Sequence, residues 1–326
     1  DCLRGLVGSE MCIRDSDNAV QGRRRATTGA VLKMAPSHTQ QPKPPIRVGR
    51  IDYVNVAPIY YGLDQKGCPD WVAMSAAAPA VLNARMAAGE LDAGPVSTGA
   101  LVDHSRSWLV LPDLSIACDG AVKSVLLVSR LPFRALDHRT VLVSDESGTA
   151  VLLLRLLFAM HGVQPDFQPA RIDRHTGEDD DTAAALVIGD KALSCDWSRQ
   201  FGKVWDLGEL WWTATGLPFV FAVWVVREAF AHRHPQQTAR LWRLFIESRQ
   251  AGYQHGEKII RRAARELGIS DAASRHYFNH LHYNLDTAKQ KSLTTFFDML
   301  HRHRVIDRQV RPRFWEDPGG ITSASL

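Results

Sequence analysis

From Ile46 onward, short runs of alternating or continuously apolar residues trade places with stretches whose apolar residues recur at helical spacing. The stretch I-R-V-G-R-I at 46–51 alternates as a half-buried strand does. The pattern then breaks at Asn55 and Pro58 into a short helix carrying Ile59, Tyr60, Tyr61 and Leu63. Residues 71–75 read as a second strand, and Pro79 opens a helix on which Val81, Leu82, Met86 and Leu91 fall at roughly helical intervals. Gly89 stops that helix, a very short strand follows, and Ser97-Thr98 stand at the next helix start. Further strands are predicted at 108–111, 121–129 and 140–144, and a strongly apolar helix at 151–160 that ends near Gly162. Residues 183–188 read as a buried strand, G-D-K-A-L as a helical turn after it, and 219–226 as a second long apolar strand.

Strands alternating with helices predict an α/β fold. The last hundred or so residues change character, with helices predicted at 235–252, 258–268 and 287–303. The two long strands, 121–129 and 219–226, bracket a middle block. We therefore expect two lobes: a discontinuous first lobe over 46–129 plus 219–310, and an inserted second lobe over 130–218. Two-lobed plans bind small ligands in the cleft between the lobes. Residues 311–326 read as a loose tail, and no internal repeat is visible.

The ends change this picture least. Residues 1–45 lack the apolar content to fold alone and read as a disordered or artefactual leader. The opening D-C-L-R-G-L-V-G-S-E-M-C-I-R-D-S resembles translated sequencing adapter, and Met34 is a plausible start. The leader holds seven Lys/Arg and four Asp/Glu of the net +4, leaving 32 basic and 31 acidic residues in the body. A near-neutral body argues against a nucleic-acid partner. No apolar run approaches the roughly 18 residues of a membrane span. The segment after Arg23-Arg24-Arg25 is too short and polar for an export signal. Cys2, Cys12, Cys68, Cys118 and Cys195 form no C-x-x-C pair, as expected of a reducing compartment, so the chain is expected to be cytoplasmic.

Candidate chemistry gathers at strand ends. Open α/β sheets bind ligands there, which singles out Asn55. Pro95-Val96-Ser97-Thr98-Gly99 and Ser147-Gly148-Thr149 each put hydroxyls and a glycine at a helix start, where exposed N–H groups attract anions. One such loop in each lobe would let a dicarboxylate bridge them. The same residues are also the preferred helix caps, and Asn55 is equally a common turn residue. Ser124 either lines the cleft or alternates out of the core. Asp190 and Lys191 could reach substrate, although Asp at a helix start is the simpler reading. The C-terminal histidines, His276 and His280 among them, lack the carboxylate or cysteine pattern of a metal site. No nucleotide, triad or zinc-protease motif is present.

Taken together, I-D-Y-V-N-V-A-P-I-Y-Y-G-L, L-N-A-R-M-A-A-G-E-L-D-A-G-P-V-S-T, A-C-D-G-A-V-K-S-V-L-L-V-S, A-L-V-I-G-D-K-A-L and T-G-L-P-F-V-F-A-V-W resemble, in order, the chorismate dehydratase family of futalosine-type menaquinone biosynthesis. The likeness covers roughly residues 46–305. It implies an α/β, two-lobed fold like the type II periplasmic solute-binding proteins, with a central cleft between the lobes. It also implies a cofactor-independent, metal-free hydro-lyase acting on a small dicarboxylate, chorismate. Carried over position by position, Asn55 matches the active-site asparagine, and Ser97, Thr98, Ser124, Gly148 and Thr149 match cleft blocks. Two departures stand out: Ser97-Thr98 where paired serines are usual, and Ala150 closing the Ser147 block. With no convincing base beside Asn55, the substrate's own enolpyruvyl carboxylate is expected to remove the ring proton while Asn55 orients it or the departing hydroxyl. Two alternatives stand beside this reading. One is the sister enzyme making 1,4-dihydroxy-6-naphthoate, and the other is a solute-binding module without catalysis.

Overall fold

A computed structural model describes residues 44–144, 148–178 and 182–320. The leader, Ser147 and the acidic residues Asp179 to Asp181 lie outside that range. The first strand, β1 (Ile46–Ile51), buries Ile46 and Val48 on one face, as its alternation requires, and Ile51 on the other. The 3-10 turn Val54–Val56 follows, and then α1 (Ala57–Lys66), which has a proline in its first turn. Next come β2 (Val72–Ala77), α2 (Pro79–Ala87), β3 (Ala93–Ser97), the single-turn α3 (Leu101–His104) and β4 (Trp108–Cys118).

The chain then crosses to a second lobe. This comprises β5 (Val125–Ser129), β6 (Thr140–Val143), α4 (Gly148–Met160), β7 (Asp166–Pro169), β8 (Ala184–Ile188), α5 (Asp190–Ser194), α6 (Trp197–Phe201), β9 (Lys203–Asp206) and α7 (Leu207–Thr215). It returns as β10 (Phe219–Arg227) and ends in α8 (Glu228–Arg233), α9 (Pro235–Gln254), α10 (Gly256–Leu267), α11 (Asp271–Phe278), the short β11 (Leu281–His282) and α12 (Thr287–Arg302).

Two sheets result, in the orders β11-β4-β10-β3-β1-β2 and β7-β6-β8-β5-β9. In the first, β1 runs parallel to β2 and β3, while β10 is antiparallel to β3 and β4. In the second, β6 is parallel to β7 and β8, and β5 is antiparallel to β8 and β9. The hydrophobic pattern places the first crossing after residue 129, but β5 already belongs to the second sheet. The crossing therefore falls in the polar stretch 119–124. An apolar run marks a buried strand without saying which sheet buries it.

Two further expectations change. Strand β4 runs on past Pro112, where the sequence suggests a stop, because the ladder to β10 absorbs an irregularity between Ser115 and Val110. There Asp113 takes a positive φ of 57°, and buried Arg249 pairs with its carboxylate at 2.6 Å. The end of the chain is also not loose through residue 317. Since β11 pairs only with Ala117 and Cys118, the first half of β4 keeps a free edge. The Val110 N–H donates to the Arg313 carbonyl and the Trp315 N–H to the Val110 carbonyl, while Trp315 packs on Trp242. An edge strand left unpaired is a liability, and the tail covers it.

Candidate functional site

Three strand ends and one crossing meet at a cavity of about 600 Å³, counted with its mouth. Asn55 stands in the turn after β1, Ser97 closes β3, Gly189 follows β8, and Ser124 sits in the crossing just before β5. Ligands of open α/β sheets bind at these carboxyl ends. Ile51, Ile116, Phe221, Ala222 and Leu281 come from the first sheet and Val125 and Ile188 from the second, so both lobes wall the cavity. The other polar side chains are Tyr53, Asn55, Ser97 and Ser124, and no Lys, Arg, His, Asp or Glu is among the residues lining it.

Each small polar group is held in a definite direction. Ser97 is clasped by Asn83 of α2, whose amide donates to Ser97 Oγ at 2.9 Å and accepts the Ser97 N–H at 3.2 Å. The Ser97 oxygen is thereby engaged, which leaves its own proton to donate. At Ser124 the donor is Tyr277 of α11, whose phenol reaches Oγ at 3.2 Å. The main chain before Ser124 is fixed by Asp206, which accepts the N–H groups of Val122 at 3.0 Å and Lys123 at 2.7 Å. The same carboxylate caps α7 through Gly208 and Glu209. Asn55 differs from the serines: its Oδ1 is buried with no hydrogen-bond partner among the described residues.

The other expected site residues are placed differently. Thr98 is fully buried and donates to the Val220 carbonyl at 2.8 Å. Thr149 accepts the Gly99 N–H at 2.8 Å and donates at 3.1 Å to the carbonyl of Phe221, the residue the β10 irregularity leaves without a β4 partner. Neither threonine lines the cavity. Gly148 lies close to Ser97, and the two share a larger, more open hollow with Ser144 and Arg155. The structure thus gathers Asn55, Ser97 and Ser124 around one space, uses Thr149 to join α4 to the first sheet and uses Thr98 to tie the turn after β3 to β10.

The lobes also touch beside the cavity. The turn at Gly189 lies against the Tyr53 ring, and the next residue, Asp190, faces the Val54 N–H while its Oδ1 is buried with no hydrogen-bond partner among the described residues. Burial pushes the Asp190 carboxyl up to about 6, the Val54 N–H acts against this, and Glu266 and Asp52 add to it. Asp190 lines a neighbouring hollow with Arg50 and Arg262 rather than the cavity itself.

Two α/β lobes on separate sheets, joined by two crossings and walling one cavity, define a periplasmic-binding-protein-like fold. Among solved structures, a protein of Archaeoglobus fulgidus matches with a TM-score of 0.64 and 20% identity, covering 80% of this chain and 98% of its own. The periplasmic aliphatic sulphonate binding protein of Escherichia coli matches at 0.57 and 15%, covering 83% and 92%. At these identities the likeness is one of fold. In sequence, the profile described as "Menaquinone biosynthesis" matches residues 46–302, and the chain belongs to that family. A chorismate dehydratase of Thermus thermophilus is 32% identical over 275 residues, 78% of this chain and 95% of that protein. A 1,4-dihydroxy-6-naphtoate synthase of Streptomyces coelicolor is 28% identical over 168 residues, 46% of this chain and 53% of that one. No helix among the described residues is long and apolar enough to cross a membrane.

Proposed function

We propose that the chain dehydrates chorismate to 3-[(1-carboxyvinyl)oxy]benzoate and water, a carbon–oxygen lyase step of futalosine-type menaquinone biosynthesis. The observation that carries this reading is the cavity wall: hydroxyls and one unpartnered amide oxygen, with no ionised side chain among the lining residues. Such a wall orients a substrate and excludes water, but it contributes no strong base. Chorismate suits it because its enolpyruvyl carboxylate can reach, through a cyclic array of its own atoms, the hydrogen on the ring carbon bearing the ether. The C–H electrons become a ring double bond and the neighbouring C–O bond breaks. The ring proton and the departing hydroxide together make up the water. Aromatisation drives the step, and positioning is the protein's task.

The side chains then divide the substrate between them. A carboxylate has no proton to give, so the partner of Asn55 Oδ1 is the ring hydroxyl. Ser97 and Ser124, whose oxygens already accept, donate to the carboxylates. Thr98, Gly148 and Thr149 shape the loops around them. A cytoplasmic site of action belongs to the same reading, and the free thiols of Cys68, Cys118 and Cys195 fit a reducing compartment.

The test is purified protein with chorismate, followed by the appearance of the aromatic product. Asn55→Ala should lower kcat about a hundredfold or more, the scale of losing one aligned polar partner in a dry site. Undiminished turnover would remove Asn55 from its role. Chorismate bound tightly but recovered unchanged would favour a solute-binding module, and formation of 1,4-dihydroxy-6-naphthoate from the sister enzyme's substrate would favour that enzyme.

A further inference from the structure

We propose that Tyr277 is a positioning residue whose phenol sets which way Asn55 and Ser124 present their hydrogen-bonding atoms to the cavity. The proposal rests on the reading of the cavity as the site of chorismate dehydration, and adds to it a residue from the C-terminal helices.

Tyr277 sits on α11 with 1% of its surface exposed. Its helix is tied down locally: Ser270 caps it, and the buried Ser274 hydroxyl donates to the Ile260 carbonyl of α10 at 2.9 Å. From this anchored position the phenol donates to Ser124 Oγ at 3.2 Å. Asn55 is the other polar side chain that acts on the phenol, and it lowers the phenol's pKa.

A phenol has one proton. With that proton given to Ser124, Tyr277 can only accept from Asn55, and the group on Asn55 able to donate is Nδ2. The amide is then held with Oδ1 turned away from the phenol, and Oδ1 is the atom left buried without a protein partner. Ser124, having accepted, turns its own proton elsewhere. One buried hydroxyl therefore determines that the cavity offers an acceptor at residue 55 and a donor at residue 124. Without it the amide has two nearly equivalent orientations about its last torsion, and the serine hydroxyl can point at either neighbour. Burial also pushes the phenol's pKa up, against the effects of Ser124 and Asn55, so the proton that orders the network stays in place.

The variant to test is Tyr277→Phe, which keeps the ring and removes the hydroxyl. For chorismate turnover we expect kcat to fall about ten- to a hundredfold with a smaller change in KM, since the network aligns the groups that act on the reacting atoms. Ser124→Ala should cost a comparable factor, and the double variant should be little worse than the poorer single one, because both act through one network. A Tyr277→Phe enzyme with wild-type kcat, or single losses that simply multiply, would overturn the proposal and leave Tyr277 a core aromatic. A second measurement needs no substrate. In protein labelled at asparagine, the Asn55 side-chain amide should exchange slowly with solvent in the wild type and faster in Tyr277→Phe. Equal exchange in the two proteins also overturns the proposal. Wild-type protein inert to chorismate would sink the functional reading alone, while the exchange experiment still decides the network.

Discussion

An amide oxygen buried without a partner costs a protein free energy that a bound ligand can offset, which makes Asn55 the most telling residue of the cavity. Ser97 is its counterpart as a donor, and it depends on Asn83. Replacing Asn83 by Ala frees the Ser97 hydroxyl to rotate and should cost about 1 kcal/mol of substrate binding, roughly a fivefold rise in KM with kcat less affected. Steady-state kinetics with chorismate would show it. At this scale the sequence is informative about residue types and silent about direction. Asn55, Ser97 and Ser124 stand out because a strand end followed by a polar residue is where such folds bind ligands. Thr98 and Thr149 carry the same signal, yet their hydroxyls serve main-chain atoms across the fold, and nothing local distinguishes the two uses. Tyr277 carries no signal at all, since its partner Ser124 is 153 residues away.

Among the elements, the pairing of α1 with α9 places the turn that carries Asn55. Gly62 and Gly252 let the two helices approach until main chain meets main chain. A Cβ on Gly62 would stand 2.7 Å from the Ser248 Cα, and one on Gly252 would collide with the Pro58 carbonyl. The Ser248 hydroxyl accepts the Leu63 N–H at 3.0 Å across the same contact. Because no rotamer change relieves a backbone clash, Gly252→Ala should destabilise the fold by about 3 kcal/mol, the upper end for overpacking, as measured by urea unfolding. The elements themselves were largely legible: β1, α9, α10, β10 and α12 lie within a few residues of where hydrophobic spacing puts them. Local rules fail where a long-range contact overrides them. Pro112 argues against a strand until β10 and Arg249 hold β4 together around it, and the polar tail reads as loose until it meets the uncovered edge of β4.

Across the whole molecule, the lobes meet at Asp190 and Val54, and this contact is sensitive to pH. An unfolded aspartate has a pKa of about 3.9. Folding pushes Asp190 up to about 6, so between these values the folded chain holds a proton that the unfolded chain has released. Stability therefore falls as pH rises through that window. Asp190→Asn keeps an oxygen for the Val54 N–H and removes the charge. Above about pH 6 it should be more stable than wild type by on the order of 1–2 kcal/mol, allowing for partial exposure. The gain should vanish near pH 4, and thermal unfolding of both proteins across this range would read it.

The place of β10 in the first sheet has a consequence for how the chain is made. Strands β3 and β4 are not paired with each other; β10 lies between them and joins the two halves of the sheet. The five strands of the second sheet are contiguous in sequence, whereas the strand that completes the first follows all of them. On a ribosome, β1 to β4 emerge first and wait in two unjoined parts while the second lobe is synthesised. The lobe that begins earliest can be finished only later, and the buried phenol beneath the cavity comes later still.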